Sequence, residues 1–201
     1  MVEGRKEAGC GGCGCQPLDG GRRKAMGSVL AMALSPLITP LQAADGDARG
    51  KGPEPGDRLA FLLGERKDQA ISPADVVIGE APTLAYPMDF ASGKVLASRA
   101  NMLAVVRLDP AQLSEQARAQ SADGVVAFSA LCTHYGCPIT VRDPTQTHLV
   151  CNCHGSVFDP AKRGEVLVGP ATRRLAMLPL SIDGDTLVVA GRFDGPIGPP
   201  M

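Results

Sequence analysis

Two short segments hold most of the metal-ligating side chains of this chain: Cys132-Thr133-His134-Tyr135-Gly136-Cys137-Pro138 and Cys151-Asn152-Cys153-His154-Gly155-Ser156-Val157-Phe158-Asp159. The whole chain has seven cysteines and three histidines, so this crowding matters, because a metal centre can use only the ligands a chain possesses. Each segment offers one Cys and one His, as Cys-x-His in the first and Cys-x₂-His in the second, together with one further cysteine. The stretch between them is of hairpin size, with a turn signal at Asp143-Pro144-Thr145, and would bring two Cys/His loops to neighbouring strand ends. A structural zinc site is one chemistry for such a set. Zinc spacings, however, pair residues as C-x₂₋₄-C with a second pair of the same kind, and one Cys with one His in each loop departs from that pattern.

The elements that must position these loops read as strands. Short apolar runs at Val76–Ile78, Leu84–Tyr86, Leu103–Leu108, Val125–Phe128, His148–Val150, Leu175–Ile182 and Thr186–Ala190 alternate with turn residues. Asp183-Gly184-Asp185 predicts a hairpin between the last two. Only Pro110 to Ala122 has helical composition, as an insertion between strands. With 24 Gly, 17 Pro and no Trp, the domain is expected to be antiparallel and all-β, loop-rich, with a core of small aliphatic side chains. A formal charge of −1 and dispersed Lys and Arg provide no field that would gather nucleic acid.

Residues 1–44 read as an export signal: Arg22-Arg23-Lys24, an apolar run from Ala25 to Leu41, and small residues at Ala43-Ala44 before Asp45. The twin arginine points to the route that carries folded proteins, and hence to a periplasmic location. The alternative is an uncleaved anchor in the inner membrane, which Pro36 and Pro40 and the short apolar run disfavour. Membrane association is expected only through this segment. Cys10, Cys13 and Cys15 precede the apolar run and are assigned no role in the mature protein. Residues 45–72, rich in Gly, Pro and charge, read as a flexible linker with at most one short ordered segment at Leu59–Leu63.

The two-loop pattern resembles the Rieske family, whose signature is Cys-x-His in one loop and Cys-x₂-His in the other. The resemblance covers residues 73–195, leaving 196–201 as a C-terminal tail, and implies a β-sandwich with a small cluster-binding subdomain of two loops. It implies one [2Fe–2S] cluster per chain, with Cys132 and Cys151 on the inner iron and His134 and His154 on the outer. Cys137 and Cys153 match the disulfide that joins the loops in respiratory members, and Val168-Gly169-Pro170-Ala171 looks like the proline loop over the cluster. Ser156 matches a serine that donates to a cluster sulfur. Phe158 stands where respiratory members carry a tyrosine, and Tyr135 where a leucine is usual. His148 is left as a strand residue, since four ligand places are already filled.

The function expected from this resemblance is one-electron transfer. No nucleophile, catalytic base or phosphate-cradling motif is evident. A Rieske oxygenase needs two more histidines, a carboxylate and a large second domain, which this chain lacks. The leading expectation is a subunit like the arsenite oxidase small subunit, partnered by a larger redox subunit, molybdenum-containing in that case, or by cytochrome c. The alternatives are the iron–sulfur subunit of a cytochrome bc complex and a free-standing periplasmic shuttle.

Overall fold

The computed structural model describes residues 51–143 and 148–200. In chain order the strands are β1 (Arg58–Phe61), β2 (Thr83–Met88), β3 (Leu103–Arg107), β4 (Val125–Ser129), β5 (Val141–Arg142) and β6 (Leu149–Cys151). They continue with β7 (Ser156–Asp159), β8 (Glu165–Val168), β9 (Met177–Leu178), β10 (Leu180–Asp183) and β11 (Thr186–Val189). One turn of α-helix, α1 (Glu115–Arg118), is capped by the Ser114 hydroxyl, which accepts from the Ala117 amide.

The strands form two antiparallel sheets, one of seven strands in the order β10-β11-β1-β2-β3-β4-β9 and one of four in the order β5-β6-β7-β8. In the larger sheet β9 and β10 lie at opposite margins, yet only Pro179 separates them in the chain. The sheet must therefore curl until its margins meet. The Leu180 amide, donating to the Gln120 carbonyl, ties that seam. The sandwich expected from the sequence is thus a nearly closed antiparallel barrel with a second small sheet packed on it.

Strands β3 and β4 explain how the two sheets join. Leu103, Val105, Val125 and Ala127 face a core inside the curled sheet with Leu59, Ile71, Leu178 and Leu187. Val106, Val126 and Phe128 face outward into a second core, with Ile139, Leu149, Phe158, Leu175 and Met177. Buried on both faces, these strands read as continuous apolar runs without alternation. Phe128 and Phe158 are fully buried there, and each contributes about 2–3 kcal/mol of hydrophobic stabilisation. The four-stranded sheet, inserted between β4 and β9, is held to the barrel by this second core, and Cys132 and Cys151 lie in it.

Several boundaries differ from the sequence reading. The ordered domain starts before residue 73: β1 pairs with β2 and β11, with Leu59 and Ala60 fully buried. Four residues with two adjacent buried positions, among charges and glycines, carry no alternation that would stand out. Ile78 forms only an isolated bridge to Arg107, so Val76–Ile78 is no strand, although Val76 is buried. The helix expected over Pro110 to Ala122 contracts to α1, because Pro110 starts a separate 3₁₀ turn capped by Asp109. The C-terminal residues are not a loose tail, since Gly198 is buried against Leu131. The N-terminal signal or anchor and the tip of the β5–β6 turn lie outside the described residues. Among the described residues no helix is long and apolar enough to cross a membrane.

Candidate metal centre

The two Cys/His segments become two loops of the same construction. The first follows β4, and its arms are joined by the bridge Leu131↔Pro138 and by the Cys132 amide donating to the Cys137 carbonyl at 2.9 Å. The second connects β6 to β7, whose last pair is Cys151↔Ser156. In each loop the leading cysteine's carbonyl accepts from the amide of the glycine four residues on, Gly136 at 2.8 Å and Gly155 at 3.0 Å. Both glycines adopt left-handed backbone, with φ of 74° and 73°, and this reverses the chain after the histidine. Sequence thus dictates geometry directly: cysteine at the base, histidine at the tip, and a glycine that turns the strand home.

The structure pairs the four ligand-type residues, thiol with thiol and imidazole with imidazole. Cys132 and Cys151 are buried, each 1% exposed, with their thiols in hydrogen-bonding contact. Burial pushes the Cys151 thiol up; the amides of Cys153 and His154 draw it back, and Cys132 beside it pushes it up again. Two buried thiols in contact would repel each other as thiolates, which is an environment suited to a cation between them. The imidazoles of His134 and His154 meet edge to face with centroids 4.7 Å apart. His134 Nδ1 is buried and has no hydrogen-bond partner, the state of a ligand nitrogen whose acceptor is a metal. His154 is exposed. The donor set of two buried thiols and two adjoining imidazoles, one with an orphaned nitrogen, fits a mixed Cys₂His₂ iron–sulfur site.

Cys137 and Cys153 form a disulfide with Cα atoms 6.5 Å apart, which joins the first loop to the second. The Sγ atoms of Cys137, Cys151 and Cys153 lie within 4.8 Å of one another. Two of those three are consumed by the disulfide and cannot ligate. The trio therefore marks how closely the disulfide backs Cys151, while Cys132 and Cys151 remain the free thiols among the described residues.

A third loop closes the site. After β8, Gly169 runs so close to the second loop that a Cβ on it would stand 2.5 Å from Ser156 Cα and 2.8 Å from the Gly155 carbonyl oxygen. Its φ of 95° also suits glycine alone. The Ala171 amide then donates to Ser156 Oγ at 3.1 Å. Ser156 is fully buried, and its oxygen accepts this bond while its hydroxyl proton is left free to donate. The first loop is held from the other side, where Thr133 Oγ1 donates to the Arg173 carbonyl at 2.6 Å.

Both loop tips are exposed, at Tyr135 in the first and at Asn152 and His154 in the second. Tyr135 is 71% exposed, and its ring packs edge-on to His134 at 4.3 Å and tilted against His154 at 5.7 Å. Leu167 and Val168 are exposed on β8. His148 precedes β6 three residues before Cys151, about 10 Å along an extended strand, outside the ligand group. Thr133 and Arg173 were missed as supports by sequence reasoning, because their contact is between segments far apart in the chain, whereas Gly169 lies in the loop expected over the cluster.

The family model for the Rieske [2Fe-2S] domain matches residues 89–179. The cytochrome bc1 complex Rieske iron-sulfur subunit of Streptomyces lividans is 32% identical over 168 residues, spanning 75% of this chain and 96% of that relative. The subunit of the same description from Streptomyces coelicolor is 31% identical over 196 residues, covering 89% of this chain; the chain spans only 53% of that relative's length. Among solved structures, the ferredoxin of carbazole 1,9a-dioxygenase from Nocardioides aromaticivorans IC177 is 20% identical with a TM-score of 0.42, covering 61% of this chain and 95% of that one. The soluble domain of Rieske protein II from Sulfolobus acidocaldarius is 21% identical with a TM-score of 0.37, covering 50% and 67%.

Proposed function

Because this chain belongs to the Rieske [2Fe–2S] family, we propose that it relays single electrons as the iron–sulfur subunit of a cytochrome bc-type complex, through a cluster held by Cys132, His134, Cys151 and His154. The observation that carries this reading is the pairing of two equivalent loops, with thiols buried at their bases and imidazoles meeting at their tips. When bound, the cluster supplies a one-electron carrier. The chain's own residues set its character. Two neutral imidazoles in place of two thiolates lower the negative charge at the site and favour uptake of an electron. The disulfide, the Gly169 approach and the Ser156–Ala171 bond keep water from the inner thiols, while exposed His154 gives a partner access to the outer edge.

The sequence-based preference for an arsenite oxidase-like complex, with a molybdenum-containing partner, gives way to the cytochrome bc alternative, since the relatives above carry the latter description. Partners are accordingly the subunits of a cytochrome complex. Export across the cytoplasmic membrane, by cleaved signal or retained anchor, remains the reading of residues 1–44, and a loop-joining disulfide suits an oxidising compartment.

The test is purification of the full chain from its own cells, with separate membrane and soluble fractions. Copurification with b-type haem, and an anisotropic signal with g values below 2 on reduction, are the expected results. A soluble complex containing molybdenum would overturn the bc assignment. Zinc alone, after maturation with iron and sulfide, would overturn the cluster itself.

A further inference from the structure

Resting on the cluster reading above, we propose that Arg99 is a positioning residue for the first cluster loop and that its charge raises the cluster's reduction potential. Arg99 opens the 3₁₀ turn Arg99–Asn101, just before β3 and more than thirty residues from the loop it touches. Its Nη2 donates to the Gly136 carbonyl at 2.8 Å, the carbonyl between Tyr135 and Cys137. The loop's own hydrogen bonds use the Cys137 and Cys132 carbonyls, so the arginine takes an acceptor they leave over. The guanidinium also packs over Gly136: a Cβ there would stand 3.5 Å from Arg99 Nη2 and 3.4 Å from Pro199 Cδ. The first loop is thus clasped at its turn by a side chain from the barrel and by the end of the chain.

Charge makes this clasp more than structural. Among the described residues Arg99 forms no ion pair, unlike Arg66, Arg107, Arg163 and Arg174, each of which meets an aspartate. An unneutralised guanidinium bonded two residues from His134 and next to Cys137 favours whichever state of the site carries more negative charge, and that is the reduced one. Arg99 is exposed, so salt screens the effect.

Protein-film voltammetry on the holoprotein at low and high ionic strength, comparing wild type with Arg99→Gln and Arg99→Lys, tests this. The expected result is a lower midpoint for Arg99→Gln, with the reduced-to-oxidised ratio at the wild-type midpoint falling about two- to fivefold at low salt. That gap should narrow at high salt, and Arg99→Lys should recover most of it. An unchanged midpoint in Arg99→Gln, with the reduced spectrum intact, overturns the inference. If Arg99→Gln retains no cluster, Arg99→Lys decides: a retained cluster with wild-type salt dependence supports the role, and a lost cluster or salt-independent potential overturns it. Wild-type protein that takes up no cluster would instead sink the cluster reading, which separates the two failures.

Discussion

Phe158 is the residue at which this chain departs most directly from the tuning expected of respiratory Rieske proteins. It is fully buried in β7, in the same core as Cys132 and Cys151, and a phenyl ring offers those sulfurs no donor. The matching tyrosine would add one hydrogen bond to a ligand sulfur and stabilise the more negative, reduced state. Such a bond is worth about 1 kcal/mol, or roughly 40 mV for a one-electron couple. Phe158→Tyr is therefore expected to raise the midpoint by that order, measured by voltammetry beside the wild type; no rise, with the cluster spectrum preserved, would remove Phe158 from the tuning set. Ser156 has the hydroxyl that Phe158 lacks. Its oxygen accepts from the Ala171 amide, its proton is left free to donate, and this one residue links the proline loop to the ligand loop.

At the scale of elements the site is three loops meeting, and the tightest of those meetings is made by Gly169. Gly169→Ala would combine a left-handed φ of 95° with a Cβ 2.5 Å from Ser156 Cα, so the proline loop must lift away and release the Ala171–Ser156 bond. The expected outcome is faster loss of visible cluster absorbance in the presence of a chelator, with far-UV circular dichroism unchanged. Gly184→Ala is the control: its φ is 57°, but nothing lies within 4 Å of the added Cβ, so it should match the wild type. Equal cluster lifetimes in all three proteins would refute the clasp. The ligand loops and the strands β2, β3, β4, β6 and β11 were legible in the sequence, because Cys/His spacing and long apolar runs are local signals. Strands β7 and β8 were not, since the ligand motif itself runs into β7, and β8 carries exposed Leu167 and Val168 on an edge. The clasp of Gly169 on Ser156 was invisible for a different reason: a glycine in a loop announces freedom, and only the folded partner shows that closeness is what it serves.

At the scale of the whole molecule, Asp194 joins parts that the chain order separates. Its carboxylate accepts from Arg163 Nη2 at 2.6 Å, from Arg174 Nη1 at 2.8 Å and from the Met177 amide at 2.8 Å. Arg163 follows the small sheet's β7, and its Nη1 reaches Gln116 of α1, while Arg174 and Met177 lead into β9 of the barrel. Beyond Asp194 the chain runs to Gly198, whose carbonyl accepts from Arg173, and to Pro199 against Gly136 of the first cluster loop. The carboxylate thus anchors the segment that buttresses the site. Burial works to raise its pKa, but the hydrogen bonds from Arg174, Arg163 and the Met177 amide outweigh that and hold it below the ordinary carboxylate value. A depressed carboxyl stabilises the fold fully above its unfolded pKa of about 3.9 and loses that contribution as pH falls through the lower, folded value. Asp194→Asn leaves two half-buried guanidiniums without their anion, at a cost of about 3 kcal/mol, or a Tm lower by roughly 6–12 °C near neutrality. That difference should shrink steadily below about pH 4, as the wild-type carboxyl takes up its proton and comes to resemble the amide. Thermal unfolding followed by circular dichroism from pH 7 to pH 3 checks this, and a Tm gap that stayed constant across the range would show that Asp194 acts through shape and not through charge.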